Sequence, residues 1–459
     1  MASSFEEQFE RAETALSDDD YPKALAAFED ALNSARLPHQ RARSLDGMAN
    51  ASFHLKKHER AFDLLDQAIA SCLPIADTDK LAAMTLARAW YDKAGMCAET
   101  GKVTEALSVL DRLVDRFSDR ACAIDERDRE ELYFRLTVVR SASMKATALR
   151  KLDRKREAVA CYDDMIRRFQ PIDDVAVEDA VSRAMLNRAW LLGDLGREDE
   201  EIKAYESLVE RYGNNHLLRV SHTIIDALTG KLQCYREQED FVEALKAADD
   251  LISRYEFDPG RGIAERVART MIRRADLLNK MGRTEEELAA YDKVVTCFGH
   301  WKEPDVRLHA AKALMFKAVS LNDADQSAAE IECYDELIRR YGQDKNEEVR
   351  TVAADALTYK GMSLGAIAED AAEDTGEREI EAEIACYDEV IRRYGEEEFV
   401  GLQCAVAEAL LHKGETLVNV GRPGEASACF DAIIQNYAAI EDTNVREIVG
   451  DARDLKAQI

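Results

Sequence analysis

The stretch Arg183–Tyr212, RAMLNRAWLLGDLGREDEEIKAYESLVERY, carries the pattern that decides the fold. Apolar residues recur at spacings of three and four on both sides of the break Leu195-Gly196-Arg197. That spacing predicts two amphipathic helices, and a glycine at the break suits the left-handed residue that ends the first of them. The stretch therefore predicts a hairpin made of helix A, a tight turn and helix B.

The hairpin pattern recurs along the sequence. In every copy an apolar residue of helix B, here called the anchor, is followed directly by an acidic residue. Successive anchors lie 43 residues apart from Tyr162 to Tyr334, and 43 again separates Tyr387 from Phe430. A fixed period of this length predicts a solenoid in which each repeat contacts only its neighbours. The ten anchors are Phe28, Leu65, Leu110, Tyr162, Tyr205, Ala248, Tyr291, Tyr334, Tyr387 and Phe430.

Two columns of small residues accompany the anchors. Nine residues before the anchor, glycine recurs at Gly101, Gly196, Gly282 and Gly421. About sixteen residues before it, where helix A lies opposite the anchor, nine of ten copies have Ala or Gly and only Leu232 breaks the column. A missing side chain there leaves room for the anchor ring. The small residues are Ala12, Ala49, Ala94, Ala146, Ala189, Ala275, Ala318, Gly361 and Gly414.

The order of small residue, turn glycine, small residue and aromatic resembles the tetratricopeptide repeat family, over about residues 5 to 437. Gly414, Gly421, Ala426 and Phe430 match all four positions. The resemblance implies an all-α, right-handed superhelical solenoid of about ten helix-turn-helix repeats, with helix A on the concave side. The family's usual period is about 34 residues, so the longer period of this chain predicts an extended helix A. We interpret 1–459 as one continuous solenoid that ends in a capping helix at 445–459.

Two steps between anchors are longer than the period by nine residues or more. The 52-residue step from Leu110 to Tyr162 places extra residues near 118–129, and the 53-residue step from Tyr334 to Tyr387 places them near 365–378. The second stretch, GAIAEDAAEDTGER, is strongly acidic. Since insertions in solenoids fall at loops, we predict a solvated extension of the turn there rather than a docking element.

Net charge, apolar runs and cysteine spacing argue against several classes of partner and location. The net charge of −28 opposes general affinity for nucleic acid or anionic membranes, and no apolar run has transmembrane length. The first residues are charged and lack the apolar core of a secretory signal. Ten cysteines are spread along the chain without a close pair. These features predict a cytoplasmic protein. Four cysteines directly precede anchors, at a position where four other copies have Ala, and predict small apolar contacts: Cys161, Cys333, Cys386 and Cys429.

A ladder of opposite charges is predicted along the solenoid. Seventeen residues before the anchor, nine of ten copies carry Lys or Arg, as Arg188 and Lys317 do, and Met48 is the exception. All ten copies carry Asp or Glu directly after the anchor. We predict ion pairs within a hairpin or across to the next one, rather than a row of lysines that binds phosphate.

Helix A also supplies the candidate partner-binding residues. Twenty-two residues before the anchor, six of ten copies are basic, and aromatic residues and a further Arg lie near them. Guanidinium and aromatic groups suit an extended acidic peptide or a helix. The alternative is that these arginines pair with acids of neighbouring helices, such as Asp92 or Glu178. The candidates are Arg43, Arg88, Tyr91, Arg140, Arg183, Trp190, Arg236, Arg269 and Lys312.

No phosphate loop, nucleophile elbow or close cluster of His, Cys and acidic residues is found, so we predict neither catalysis nor a cofactor, metal or small-molecule substrate. His54 and His58 are four apart, and a lone pair is more often surface histidine than a metal site. The sequence predicts a bacterial scaffold or adaptor protein that binds a partner protein in its concave groove. Two alternatives are a regulatory subunit that sequesters or presents an effector enzyme in bacterial signalling or defence, and nucleic-acid binding along the basic stripe.

Overall fold

The computed structural model describes residues 4–124, 128–215, 217–258, 260–370 and 373–459, apart from the side chains of 261, 370 and 373–375. All regular structure in these ranges is helical. The helices are α1 (Phe5–Ser17), α2 (Tyr21–Ser34), α3 (Pro38–His54), α4 (His58–Cys72), α5 (Lys80–Glu99), α6 (Val103–Cys122), α7 (Arg129–Lys151), α8 (Lys155–Phe169), α9 (Val175–Gly193), α10 (Glu198–Tyr212), α11 (Leu218–Glu237), α12 (Phe241–Tyr255), α13 (Arg261–Lys280), α14 (Thr284–Phe298), α15 (Pro304–Asp323), α16 (Ser327–Tyr341), α17 (Glu347–Asp370), α18 (Glu373–Tyr394), α19 (Val400–Asn419), α20 (Pro423–Tyr437) and α21 (Thr443–Lys456).

The helices pair in order as hairpins of helix A and helix B, followed by α21, so the predicted all-α repeat solenoid is confirmed. Helix A is the longer partner in eight of the ten hairpins, as predicted: α13 and α15 have 20 residues each, whereas α14 and α16 have 15. The chain divides into two compact units, Met1–Lys231 and Leu232–Ile459, and each is described by itself. The prediction of one continuous domain stays a prediction.

The turn between helix A and helix B keeps one backbone conformation in most copies. The four predicted glycines have φ between 69° and 79°. Where the sequence has no glycine, the same position is still left-handed, with φ between 56° and 61°. A side chain in that conformation costs about 1–2 kcal/mol, so the hairpin geometry overrides the local preference. These non-glycine residues are Asp19, Lys56, Asp153, Glu239 and Asp325.

The anchors form the core between the two helix layers. All ten are buried, and so are the small residues opposite them. A Cβ atom on Gly414 would lie 2.5 Å from the Phe430 ring, which leaves no room for a side chain there. The exception in the column is compensated, because Leu232 packs against the small anchor Ala248. The predicted fit between anchor and helix A is therefore confirmed.

A column of buried glutamates was not expected from the sequence. Glu287 and Glu330 are each 1% exposed and lie four residues before Tyr anchors. Ser363 Oγ and Asn322 Nδ2 donate to the Glu330 carboxylate at 2.6 and 3.0 Å. Because Ser363 belongs to the next hairpin, the Glu330 carboxylate links two repeats, as do those of Glu287 through Ser320 and Glu383 through Thr416. Glu201 holds the same sequence position and is half-buried.

The charge ladder is confirmed, and its ion pairs run across to the next hairpin. The acid after one anchor pairs with the base on the following helix A, at 2.5–2.9 Å in seven copies. Where Met48 interrupts the column, Arg60 of α4 pairs with Glu29 at 2.8 Å instead. Lys456 of α21 pairs with Asp431, so the last helix takes the place of a further helix A. Half-exposed pairs of this kind contribute about 0–1 kcal/mol each and mainly fix the register.

The acidic insert is largely helix, so the predicted solvated turn is wrong for most of its length. Helix α17 continues to Asp370 and α18 begins at Glu373, which leaves only 371–372 of the insert 365–378 outside the described residues. Alanine and glutamate favour helix, and their abundance here extends both helices instead of opening a loop. In the earlier insert, α6 likewise runs on to Cys122, and residues 125–127 lie outside the described ranges.

Candidate partner-binding surface

The helix A side of each unit forms a continuous surface. In the first unit α3 packs on α5, α5 on α7 and α7 on α9, and in the second unit α13, α15, α17 and α19 pack in the same way. Exposed side chains of neighbouring A helices therefore lie side by side. We call this the helix-A surface of each unit.

A pocket of about 440 Å³ opens on the helix-A surface of the first unit. Its floor contains Ala106 and the anchor Leu110, where most other copies have a larger aromatic anchor. Its rim brings together Tyr91, Arg140 and Arg183, three of the sequence candidates, from α5, α7 and α9. The smaller anchor explains why a cavity forms at this repeat.

The rim of this pocket is strongly basic. Arg140, Lys151, Arg183 and Arg219 line it, and no carboxylate does so among the described residues. Asp179 is the nearest acid, with its carboxylate 3.1 Å from the Arg183 guanidinium and 3.8 Å from that of Arg219. One carboxylate therefore serves two guanidiniums, and no ion pair of Arg140 occurs within the described ranges. In a chain with a net charge of −28, the rim is a local concentration of positive charge, and such a concentration attracts anions.

The pocket also has an amphipathic wall. Burial raises the pKa of Tyr91, while the nearby Arg140 guanidinium opposes that shift. The ring of Tyr91 is therefore partly covered but lies close to a cation. Met144 and Asn187 complete the wall with one apolar and one amide side chain. The pocket offers an apolar floor below a cationic rim.

Two other candidates of the first unit are engaged in local contacts. Arg88 Nε lies 3.3 Å from Asp46 and 3.7 Å from Asp92, which fits the alternative that it pairs with neighbouring acids. Burial, together with the Asp92 carboxylate, raises the pKa of Asp46, and Arg88 opposes this effect. Arg43 stacks 4.1 Å above the Phe9 ring and pairs with Glu6 at 3.3 Å. Both arginines therefore have structural partners.

The remaining candidates lie apart from this pocket. Trp190 is 44% exposed on α9. In the second unit Arg236 pairs with Asp276 at 3.4 Å, and Arg269 pairs with Glu265 at 3.4 Å. Lys312 of α15 belongs to the same unit. Their assignment to a partner-binding groove stays a prediction.

Sequence reasoning missed Arg219 and Lys151 because it counted a single column. Arg219 lies at the start of α11, one helical turn or more before the column position Asp226. Lys151 is the last residue of α7 and reaches the pocket from the turn. A search for basic residues at both ends of helix A would have found them.

The second unit contains a pair of carboxyl groups on neighbouring A helices. Asp355 of α17 and Glu408 of α19 occupy equivalent positions on neighbouring A helices. Burial, and then the Glu408 carboxylate, raises the pKa of Asp355 to about 7. Burial also raises the pKa of Glu408. At mildly acidic pH the folded chain therefore keeps a proton on Asp355 that the unfolded chain would release.

This proton predicts a pH dependence of stability. The pKa of an unfolded Asp is about 3.9, so between that value and the folded value of about 7 only the folded state stays protonated. The free energy of unfolding is therefore expected to decrease as pH rises over this interval. Asp355→Asn stays neutral and should lose about 1–3 kcal/mol less than wild type between about pH 5 and pH 8. Urea unfolding at both pH values measures this, and equal losses in the two proteins contradict it.

Other candidate sites have simpler explanations. The His54 ring stacks on Tyr21 at 4.6 Å, and the His58 ring packs edge-on against Phe53 at 4.7 Å. In the described part of the chain, no group of three or more His, Cys, Asp or Glu side chains has a geometry that could hold a metal ion. No helix in the same ranges combines the length and apolar character needed to cross a bilayer.

Comparison with known proteins agrees with the hairpin pattern. Residues 143–216 match the model of the tetratricopeptide repeat family. None of the curated proteins matches the chain. Solved structures with a similar fold include apo RapI (10% identity, TM-score 0.44, 91% of this chain and 99% of that one). YrrB, described as having an unusual peptide-binding site, is similar at 17% identity and TM-score 0.31, over 52% of this chain and 95% of its own. Likenesses this weak say nothing about what this chain binds.

Proposed function

We propose that this tetratricopeptide-repeat chain is a non-catalytic scaffold that binds a partner protein through the basic pocket of its first unit. The partner segment carries acidic residues on both sides of an apolar side chain. The apolar side chain enters the pocket floor, and the carboxylates contact Arg140, Arg183 and Arg219. One observation supports this most directly: the rim has four cationic side chains and no lining carboxylate among the described residues.

The physical chemistry favours a peptide over a bare anion. Bidentate bonds between guanidinium and carboxylate are strong and directional, and three arginines suit several carboxylates in a row. A pocket of about 440 Å³ with an apolar floor has room for a large side chain, and buried anchors of this kind dominate binding energy at protein interfaces. Ten free thiols fit a cytoplasmic location.

The test compares two triple charge reversals. In the first variant Arg140, Arg183 and Arg219 become Glu. The control variant, Lys23→Glu, Arg112→Glu and Arg156→Glu, makes the same charge change at exposed positions of the B helices α2, α6 and α8. Partners captured by the wild type from a native lysate are identified, and their affinities are then measured with purified proteins.

We expect the pocket variant to bind at least tenfold more weakly than the wild type, which is about 1.4 kcal/mol or more. The control should stay within about twofold, because distant exposed charges contribute little at physiological salt. A partner bound equally well by the wild type and both variants contradicts the pocket assignment. A nucleic acid captured instead, with a steep salt dependence, contradicts the proposed class of partner.

A further inference from the structure

The second unit has four partly exposed apolar side chains on its helix-A surface. Phe316 and Val319 of α15 are each 42% exposed, and Tyr359 and Met362 of α17 are 46% and 41% exposed. They lie at equivalent positions of adjacent A helices, and α15 packs on α17. The four side chains therefore form one exposed apolar patch.

The aromatic residues of the patch rest on the buried anchors. The Phe316 ring lies 6.3 Å from the Tyr291 ring, and the Tyr359 ring lies 6.5 Å from the Tyr334 ring. One face of each exposed ring is thus supported, and the other faces solvent. Rigid, half-buried aromatic residues of this kind lose little conformational entropy when a partner covers them.

One end of the patch is basic. On α13 the residue equivalent to Phe316 is Arg273, and burial, Arg269 and Arg236 all lower its pKa. Three guanidiniums therefore lie close together. Glu265 and Asp276 pair with two of them, and Arg273 makes no ion pair within the described ranges. Lys312 of α15 extends the basic end towards the patch.

The other end of the patch is acidic. On α17 and α19 the residues equivalent to Arg269 are Asp355 and Glu408, and Glu415 lies two turns further along α19. Tyr359 adjoins this end, since burial and then the Asp355 and Glu408 carboxylates raise its pKa. His412 also lies at this end, with its ring Nδ1 3.0 Å from Glu415. Along α13 to α19 the surface thus changes from basic to apolar to acidic.

The dimensions suit a helix. Neighbouring helices lie about 8–10 Å apart, so the path from α13 to α19 is about 25–30 Å long and matches an α-helix of about 20 residues. Its width is the distance along α13 from Arg269 to Asp276, a step of seven residues or about 10 Å. This width matches the diameter of one helix rather than that of a single extended strand.

We propose that the bipolar surface Arg273–Phe316–Tyr359–Glu408 of the second unit binds an amphipathic helix of a partner protein, acidic at one end, apolar in the middle and basic at the other. The acidic end contacts the arginines, the apolar stripe covers the two rings, and the basic end contacts Asp355 and Glu408. This inference rests on the proposed scaffold function and adds a second, chemically different site to it. The opposite charges at the two ends fix the direction of the bound helix.

The test uses two fluorescein-labelled peptides of about 20 residues with the same composition. The forward probe has Glu in its first five residues, a Leu stripe at helical spacing in the middle and Lys in its last five. The second probe has the same Glu and Lys residues alternating at both ends, so that neither end carries a net charge. Fluorescence anisotropy with the full chain measures the affinity of each.

We expect the forward probe to be preferred at least tenfold over the second probe, and the double variant Phe316→Ala, Tyr359→Ala to lose at least tenfold for this preferred probe. The matched control Val242→Ala, Phe257→Ala removes two other exposed apolar side chains of the same unit and should bind as the wild type does. Equal affinities for the two probes, no binding of either, or unchanged binding by the aromatic double variant would overturn the proposal.

Two controls separate this site from the others. Binding of the preferred probe should be unchanged when Arg140, Arg183 and Arg219 are replaced by Glu. A failure of the helix proposal therefore does not affect the proposal for the first-unit pocket, and a failure of the pocket proposal does not affect this one. Light scattering of the full chain detects self-association. A dimer that disappears in the Phe316→Ala, Tyr359→Ala variant would assign the surface to a second copy of the chain and overturn the helix proposal.

Discussion

Replacing Phe430 by Ala is expected to lower the free energy of unfolding by about 3–5 kcal/mol, the largest stability effect predicted for this chain. The ring is fully buried between α19 and α20, and Gly414 leaves the space that it fills. Truncation removes the apolar contacts and leaves a cavity that helix backbones on either side cannot collapse to fill. Urea denaturation followed by circular dichroism measures the loss.

The damage should be local, since a repeat contacts mainly its neighbours. Hydrogen exchange is expected to accelerate in α19, α20 and α21 and to stay unchanged in α13 and α14. The matched control is Phe316→Ala, which removes the same ring from a 42% exposed site and should cost about 1 kcal/mol or less. If Phe316→Ala proved as destabilising as Phe430→Ala, the division into core anchors and exposed patch would be wrong.

The repeat pattern predicted the hairpins because each column reports a local constraint. A left-handed turn residue, a small residue opposite a ring and an acid after the anchor recur often enough to be recognised in one sequence. The acidic insert was misjudged because an acidic run was taken for solvated turn, whereas its Ala and Glu residues favour helix. The pattern within one hairpin does not explain Gly230, which lies on the following helix A. A Cβ atom there would lie 2.6 Å from the Tyr205 ring. The ring also needs space on the following helix A.

The binding surfaces were less predictable from sequence. Counting along helix A selected Arg140 and Arg183 together with Arg88, and these residues look alike in the sequence. Only the structure shows that Arg88 faces Asp46 whereas Arg140 lines an open pocket. Charge columns reveal which side chains share a face, but not which of them already have a partner.

The proposed scaffold has two chemically different surfaces. The first unit offers a small pocket with a cationic rim, suited to a short acidic segment. The second unit offers a longer surface that changes sign along its length, suited to a helix. Because different residues line the two sites, one partner with two segments or two different partners could bind at once, and linked segments would gain affinity through effective concentration.

Glu330→Ala is expected to lower the free energy of unfolding by about 2–4 kcal/mol. The carboxylate accepts hydrogen bonds from Ser363 and Asn322 and is hydrogen-bonded to the Tyr334 hydroxyl. Burial and the Glu330 carboxylate raise the pKa of Tyr334, as expected for a hydroxyl held against a negative group. Removing the acceptor takes a hydrogen-bond partner from donors on three helices, of which Tyr334 and Ser363 are buried. Glu332→Ala, on the exposed side of the same helix, should change stability by less than about 0.5 kcal/mol.

The sequence suggests a second substitution that should compensate for part of the stability lost in Glu330→Ala. Where the anchor is Phe, as at Phe28 and Phe430, the residue four positions earlier is Ala24 or Ala426. Glutamate occurs at that position only before Tyr anchors, which indicates that the carboxylate and the hydroxyl belong together. The double variant Glu330→Ala, Tyr334→Phe should therefore be more stable than the sum of the single losses predicts, by about 1 kcal/mol or more. If the losses in free energy of unfolding were strictly additive in this double-mutant cycle, the hydroxyl and the carboxylate would act independently. The buried glutamates would then have a role other than linking Tyr anchors to the next repeat.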